Sequence, residues 1–183
     1  YDVDPMFPDR WSPRAFLDVE VPTLLVKQVL EAARWAPSAR NEQPWRFVYA
    51  IEDGDLERFR DALLDLNQLW ANQAPGLICL LSRKTYVGNG KPNQSSVFDA
   101  GAAWMSLALQ ARRLGLYTHA MGGFDKEKAL AAVGASAEEY DALAIIALGW
   151  KGEPEMLPEE VREREMPSGR RLVSDISFEG RLG

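Results

Sequence analysis

Residues 36–45 read APSARNEQPW, a break that gathers a hydroxyl, a guanidinium, a carboxylate and two amides between apolar segments. Ser38 can donate and accept hydrogen bonds, and the amides of Asn41 and Gln43 can meet alternating ring donors and acceptors without adding charge. That chemistry suits a flat, hydrogen-bonding ligand, although a solvent loop can share the composition. Arg40 and Glu42 fit water-facing roles, while Trp45 fits either a core position or packing beside a ligand-bearing loop. In DRWSPRAF, Arg10, Ser12 and Arg14 alternate. Extended backbone points such residues to one side, where they can bind phosphate or carbonyl oxygens; surface ion pairs explain the spacing equally well. Arg170 and Arg171 add positive charge from the tail, as part of such a site or as a solvated pair. In MGGFD, residues 121–125, adjacent glycines allow either a tight turn or close approach of backbone donors to a planar ligand.

Other chemistries lack their residues. There is neither GxGxxG nor GxxxxGK[ST], so the usual nucleotide loops are missing. Cys79 is the single cysteine and lies in the apolar run GLICLLS, which predicts a buried thiol. His119, the single histidine, sits in YTHAM, where a structural hydrogen-bonding role is expected. No Cys/His cluster offers a zinc site, and no calcium loop is recognisable. A formal charge of -6, a pI near 4.9 and no basic run longer than a pair argue against a nucleic-acid partner. The apolar stretches fall short of the roughly 20 residues that span a bilayer. YDVDPMFPDR carries no apolar signal core, so no membrane partner and a cytoplasmic location are the expectations.

These residues need positioning elements. With 183 residues, 46% of them hydrophobic, the chain can bury one sizeable core. Leu24, Leu25, Val29, Leu30, Ala33 and Ala36 recur at helical spacing, with Pro22 and Thr23 as a start and Pro37 as a stop. RFVYAIED reads as a strand, residues 53–73 as one charged amphipathic helix, and GLICLLS as a second strand. KTYVGNGKPNQSS reads as a loop, and an alanine-rich helix over 97–114 ends at Gly115. YTHAMGGF predicts a strand running into a turn, FDKEKALAAVG a short helix, and residues 142–150 another strand. The end, RRLVSDISFEGRLG, suits an edge strand or an extended arm. The alternation predicts an α+β or α/β domain with helices covering a sheet.

Taken in order, RWSPRAF (10–16), APSARNEQPW (36–45), DAGAA (99–103), LGLYT (114–118) and MGGFD (121–125) give the chain a resemblance to the flavin-dependent nitroreductase family. The resemblance implies an α+β three-layer sandwich, a mixed central sheet flanked by helices, in a homodimer with two FMN sites at the subunit interface. Residues 1–183 would be one FMN-binding domain with a C-terminal arm from about 151. Arg10 and Ser12 would hold the FMN phosphate, completed by Arg171 or Arg170. Arg14 would approach the pyrimidine side and favour negative charge on the reduced flavin. Ser38 and Asn41 would reach FMN from the partner subunit, with Gln43 stabilising their loop. Gly122 and Gly123 would offer backbone contacts beside the isoalloxazine. Trp11 and Ala39 depart from the family, which often has a basic residue and a serine there.

The implied activity is ping-pong hydride transfer from NADH or NADPH through FMN to a nitroaromatic, a quinone or a related electron-poor small molecule. No catalytic acid–base pair is required, since solvent can supply the substrate proton. The glycine-rich loop from Tyr86 to Ser96 would admit substrate, with Tyr86 or Phe124 touching an aromatic one. A flavin-binding or flavin-sequestering protein without turnover is the alternative.

Overall fold

The chain is described from a computed structural model covering residues 1–182. The run GLICLLSR forms β2 (Gly76–Arg83), buried at every position except the last. Its side chains alternate between two apolar clusters: Leu77, Cys79 and Leu81 enter one, and Ile78 and Leu80 the other. A strand apolar on both faces needs cover on both, and the helices provide it. β1 (Trp45–Ala50) pairs with one side of β2 and β4 (Tyr140–Gly149) with the other, and β3 (Tyr117–Met121) adds beyond β4.

Every neighbouring pair is antiparallel. The expected mixed sheet is therefore corrected to an antiparallel one among the described residues. The register gives the reason. Ala50, at the end of β1, lies opposite Leu77 near the start of β2, so the intervening helices leave and rejoin the sheet at one edge. Parallel relations exist only between strands that are not neighbours, β1 with β4 and β2 with β3, and the crossover between the latter two is α5 (Ser96–Arg113).

On one face α2 (Thr23–Arg34), following the four-residue α1 (Met6–Asp9), buries Val26, Val29 and Ala33. These share a cluster with Ala100, Ala103, Leu107 and Ala111 of α5, where small side chains permit close helix packing. Gly115, at φ 79°, closes α5. Leu116 N–H reaches back to the Ala111 carbonyl at 2.9 Å, and Gly115 N–H to that of Arg112 at 3.0 Å, the paired bonds of a Schellman ending.

On the other face the predicted single helix over 53–73 is instead two, α3 (Asp53–Arg60) and α4 (Asp65–Ala71). Between them Ala62 and Leu63 are buried, and Leu63 pairs with Phe124 in an isolated bridge. Docking against the MGGFD turn supplies backbone partners that replace the lost helical bonds: Leu64 N–H donates to the Gly123 carbonyl at 3.1 Å, and Asp125 N–H to that of Ala62 at 2.8 Å. Beyond the turn, Asp125 caps α6 (Lys126–Ala132) by accepting from Lys128 N–H.

Past β4 the chain forms α7 (Glu159–Arg162) between two 3-10 turns, without an edge strand among the described residues. Leu172, Val173, Ile176 and Phe178 of this tail are exposed. Cys79 is 1% exposed, and burial pushes its thiol up to about 12. No helix among the described residues is long and apolar enough to cross a membrane.

Candidate functional site

α1 ends at Arg10, where the backbone turns to an extended conformation. The helix is tied down by Arg112, which donates to Asp9 Oδ2 at 2.6 Å while its guanidinium carbon stands 3.8 Å over the Tyr117 ring. Trp11 meets the same ring edge to face at 6.2 Å. Two further contacts then fix residues 13–15. His119 Nδ1 lies 2.9 Å from the Pro13 carbonyl oxygen. Arg14 N–H donates to both carboxylate oxygens of Glu165, at 2.9 and 2.8 Å, and Ala15 N–H donates to Oε1 at 3.0 Å. The Arg14 side chain is held as well, with Nη1 donating to the Arg164 carbonyl at 3.0 Å.

Three adjoining cavities open around this segment. One of about 520 Å³ is lined by Arg10, Ser12, Arg14, His119 and Arg170. A second, of about 770 Å³, shares Arg10, Ser12 and Arg170 and extends between Trp11 and Trp104. The third, of about 620 Å³, shares His119 and is bounded by Leu66, Asn67, Gly122 and Gly123. Thus the fold brings together Arg10, Ser12, Arg14, Gly122, Gly123 and Arg170.

Electrostatically this trough is unfinished. Burial, followed by the positive charge of Arg170, holds Arg10 below its ordinary value. None of the ion pairs among the described residues includes Arg10, Arg14 or Arg170. Like charges drawn together without a carboxylate between them suit an anionic ligand. Arg170 turns its guanidinium back onto the carbonyls of Ser168 and Gly169, at 2.8 and 3.0 Å. Arg171 is exposed and lines none of the three cavities. Of the two tail arginines expected at the phosphate, Arg170 is thus the one that lines the cavities, itself exposed as well.

His119 is the hinge between two of the cavities. Burial pushes it down to about 4; the Arg14 charge acts in the same direction, and the carbonyls of Pro13 and Ser12 act against it. At neutral pH the imidazole is uncharged and its Nδ1–H serves Pro13. The expected structural role fits this bond, and the ring also faces the trough. It lies 4.5 Å from the ring of the buried Trp70.

The glycine shelf has a tight side and an open side. A Cβ on Gly123 would stand 2.7 Å from Asn67 Nδ2, which donates to the Gly123 carbonyl at 2.8 Å. A Cβ on Gly122 would meet no protein atom within 4 Å. Asn67 and Glu165 escaped the sequence reading. The first sits within an amphipathic segment and the second in an acidic tail, so neither carried a local signal. Phe124, expected as a substrate contact, is 7% exposed and packs into the core with Leu63. Tyr86 lies outside the three cavities, under the guanidinium of Arg40 at 5.3 Å.

The APSARNEQPW loop departs most from ordinary backbone. Arg40, Asn41 and Gln43 adopt φ of 55°, 57° and 49°, and left-handed non-glycine residues cost on the order of 1–3 kcal/mol each. Local bonds over-determine the shape: Ser38 Oγ accepts from Gln43 N–H at 3.0 Å, and Gln43 Nε2 donates to the Asn41 carbonyl at 2.9 Å. Asp99, 3% exposed in the first turn of α5, accepts from Ala39 N–H at 3.1 Å. Trp45 takes the core option, 6% exposed in the cluster with Ile78. Ser38 and Asn41 line none of the three cavities within the chain.

An antiparallel α+β domain with a basic trough running onto a glycine shelf defines a binder of anionic, planar ligands. Residues 8–69 and 60–150 match the model of the Nitroreductase family, and the chain belongs to that family. It is 27% identical over 144 residues to an Archaeoglobus fulgidus protein provisionally named NADH dehydrogenase/NAD(P)H nitroreductase, covering 77% of this chain and 80% of that one. A nitrobenzene nitroreductase of Ectopseudomonas oleovorans is 41% identical over 63 residues, 34% of this chain and 27% of that protein. Among solved structures, an oxidoreductase containing FMN superposes with a TM-score of 0.95 at 43% identity, covering 100% of this chain and 94% of the other. An Exiguobacterium sibiricum protein solved with FMN shares the fold, with a TM-score of 0.79 at 21% identity over 97% of each chain.

Proposed function

We propose that this protein is an FMN-dependent NAD(P)H oxidoreductase that reduces nitroaromatics, quinones or related electron-poor small molecules by ping-pong turnover. The observation that carries the reading is the convergence of Arg10, Ser12, Arg14 and Arg170 on cavities continuous with the Gly122–Gly123 shelf. The donor set fits FMN at both ends: uncompensated guanidiniums and a hydroxyl for a phosphate dianion, and an open backbone shelf for a planar ring. The relatives with FMN and NAD(P)H in their names support the same assignment.

When bound, FMN supplies the redox chemistry, taking hydride from NADH or NADPH and delivering two electrons to the acceptor. The protein's part is placement and charge. Arg10, Ser12 and Arg170 bind the phosphate, and Arg14 stabilises negative charge at the pyrimidine edge. Neutral His119 holds Pro13, keeping Ser12 and Arg14 directed into the trough without adding a competing proton donor at that atom. Leu66, 71% exposed beside Asn67, offers an apolar wall to an aromatic acceptor.

A homodimer with shared sites accounts for the remaining motif. Ser38 and Asn41 complete the site of a second copy, presented on a loop rigidified by Asp99 and Gln43. Apolar exposure on α5 and α2 supports that pairing: Phe98 is 82% exposed, Val97 55% and Leu24 66%. The test is a visible spectrum of FMN-loaded, desalted protein, repeated anaerobically after NADH or NADPH. Retained flavin that bleaches, then recovers with a nitroaromatic or quinone, is expected. Retained flavin that neither nucleotide reduces would favour sequestration, and no retained flavin would overturn the ligand assignment.

A further inference from the structure

The two ends of the chain meet at Glu165, a contact that the proposed chemistry has not yet used. Three short bonds run from the amides of Arg14 and Ala15 to this one carboxylate, and the preceding carbonyl takes the Arg14 guanidinium. Charge-assisted bonds of this kind are the strong ones. Glu165 spends its lone pairs on backbone, and Arg14 takes part in no ion pair among the described residues. The guanidinium is thus located by the Arg164–Glu165 pair without a carboxylate contact that would quench its charge.

The residues on either side sharpen the point. Just after Arg14 the chain is zipped to the end of β4 by bonds independent of Glu165. Gly152 N–H donates to the Ala15 carbonyl at 2.8 Å, and Leu17 N–H to that of Trp150 at 2.9 Å. Just before Arg14, His119 grips the backbone at the Pro13 carbonyl, with that of Ser12 also facing its ring. Loss of the Glu165 carboxylate therefore leaves the fold anchored at the Ala15 carbonyl while loosening the Arg14 backbone, whose side chain then relies on the Arg164 carbonyl alone. On the other side of Glu165, four residues lead to Arg170, which lines the cavity beside Arg10.

We propose that Glu165 is a positioning residue that fixes Arg14 against the flavin and couples this placement to the tail segment bearing Arg170. The proposal rests on the reading that FMN occupies the trough with Arg14 at its pyrimidine edge. It assigns Glu165 two effects: on the relative affinity for reduced and oxidised flavin, through Arg14, and on overall FMN affinity, through the placement of Arg170.

The test uses FMN-loaded wild type, Arg14→Gln, Glu165→Ala, Glu165→Gln and the double variant Arg14→Gln/Glu165→Ala. The readouts are the midpoint potential of the bound flavin and the FMN dissociation constant. Arg14→Gln is expected to lower the preference for reduced flavin about tenfold, which for a two-electron couple is about 30 mV downward. Glu165→Ala shifts the potential in the same direction, and the double variant goes no lower than Arg14→Gln alone, since the two residues act as one unit. Glu165→Gln, which keeps the volume and a single acceptor oxygen, falls between, and it carries the test should the alanine variant not fold. Both Glu165 variants bind FMN several-fold more weakly. In flavin-free protein, the amides of Arg14 and Ala15 exchange hydrogen faster in both variants; unchanged exchange would overturn the clasp directly. A shift in Arg14→Gln with none in either Glu165 variant would overturn the proposal and leave the Arg14 reading intact. An unmoved potential in Arg14→Gln would overturn that reading and the proposal with it.

Discussion

Arg170 and Arg171 are neighbours in sequence and both exposed, but only the first lines the trough, so exchanging each for glutamine separates site from surface. A hydrogen bond to a charged group contributes roughly 1.5–3 kcal/mol, so Arg170→Gln should weaken FMN binding by about 10- to 100-fold. Arg171→Gln should leave it within about twofold; quenching of flavin fluorescence on titration reads both. His119 gives a second prediction, in pH. Its ordinary value of 6.5 falls to about 4 in the fold. Between those values the unfolded chain binds a proton that the folded chain refuses. Stability is therefore complete above about 6.5 and is lost as pH falls towards 4, by about 3 kcal/mol from this residue. Being the single histidine, it carries the whole histidine contribution. His119→Gln, which retains a donor for Pro13, should flatten the loss between pH 7 and 4.5 in denaturant titrations; an equally steep loss would contradict the assignment.

At the scale of elements, the MGGFD turn ties the shelf to the break between α3 and α4. A methyl at Gly122 meets no protein atom, so Gly122→Ala should leave the melting temperature of flavin-free protein nearly unchanged while weakening FMN binding. Gly123→Ala must displace Asn67 and should lower stability in both states, by about 1 kcal/mol for the lost hydrogen bond. Differential scanning calorimetry with and without FMN distinguishes the two. The strands and the α2, α5 and α6 helices were legible because their apolar spacing and caps agreed with their final packing. The break at 61–64 was not legible, since its local pattern is continuous and its cause lies some sixty residues away at Phe124. The antiparallel sheet was similarly set by chain return at one edge rather than by any strand's own sequence. At the site, the alternation of Arg10, Ser12 and Arg14 grouped three residues that line one cavity. Glu165 and Asn67 were not readable, because each acts by accepting from or donating to backbone distant in sequence.

At the scale of the whole molecule, the strained loop gains its purpose from a second copy. Sedimentation of flavin-free and FMN-loaded protein should show dimers, with the loaded form dissociating at lower concentration. Monodisperse monomers in both states would reject the shared-site arrangement and leave Ser38 and Asn41 without a ligand. The exposed Phe98 on α5 offers a handle, since Phe98→Lys should weaken association without touching the trough. Cys79 has a different consequence. With its thiol pushed up to about 12 inside the central strand, only about one molecule in 10⁴ is a thiolate at pH 8, and that fraction is sealed between layers. Alkylating reagents can reach it only when the helices covering that face of the sheet lift away. The rate of label uptake at this one sulfur is therefore a clock for separation of the layers, readable by mass without any engineered probe.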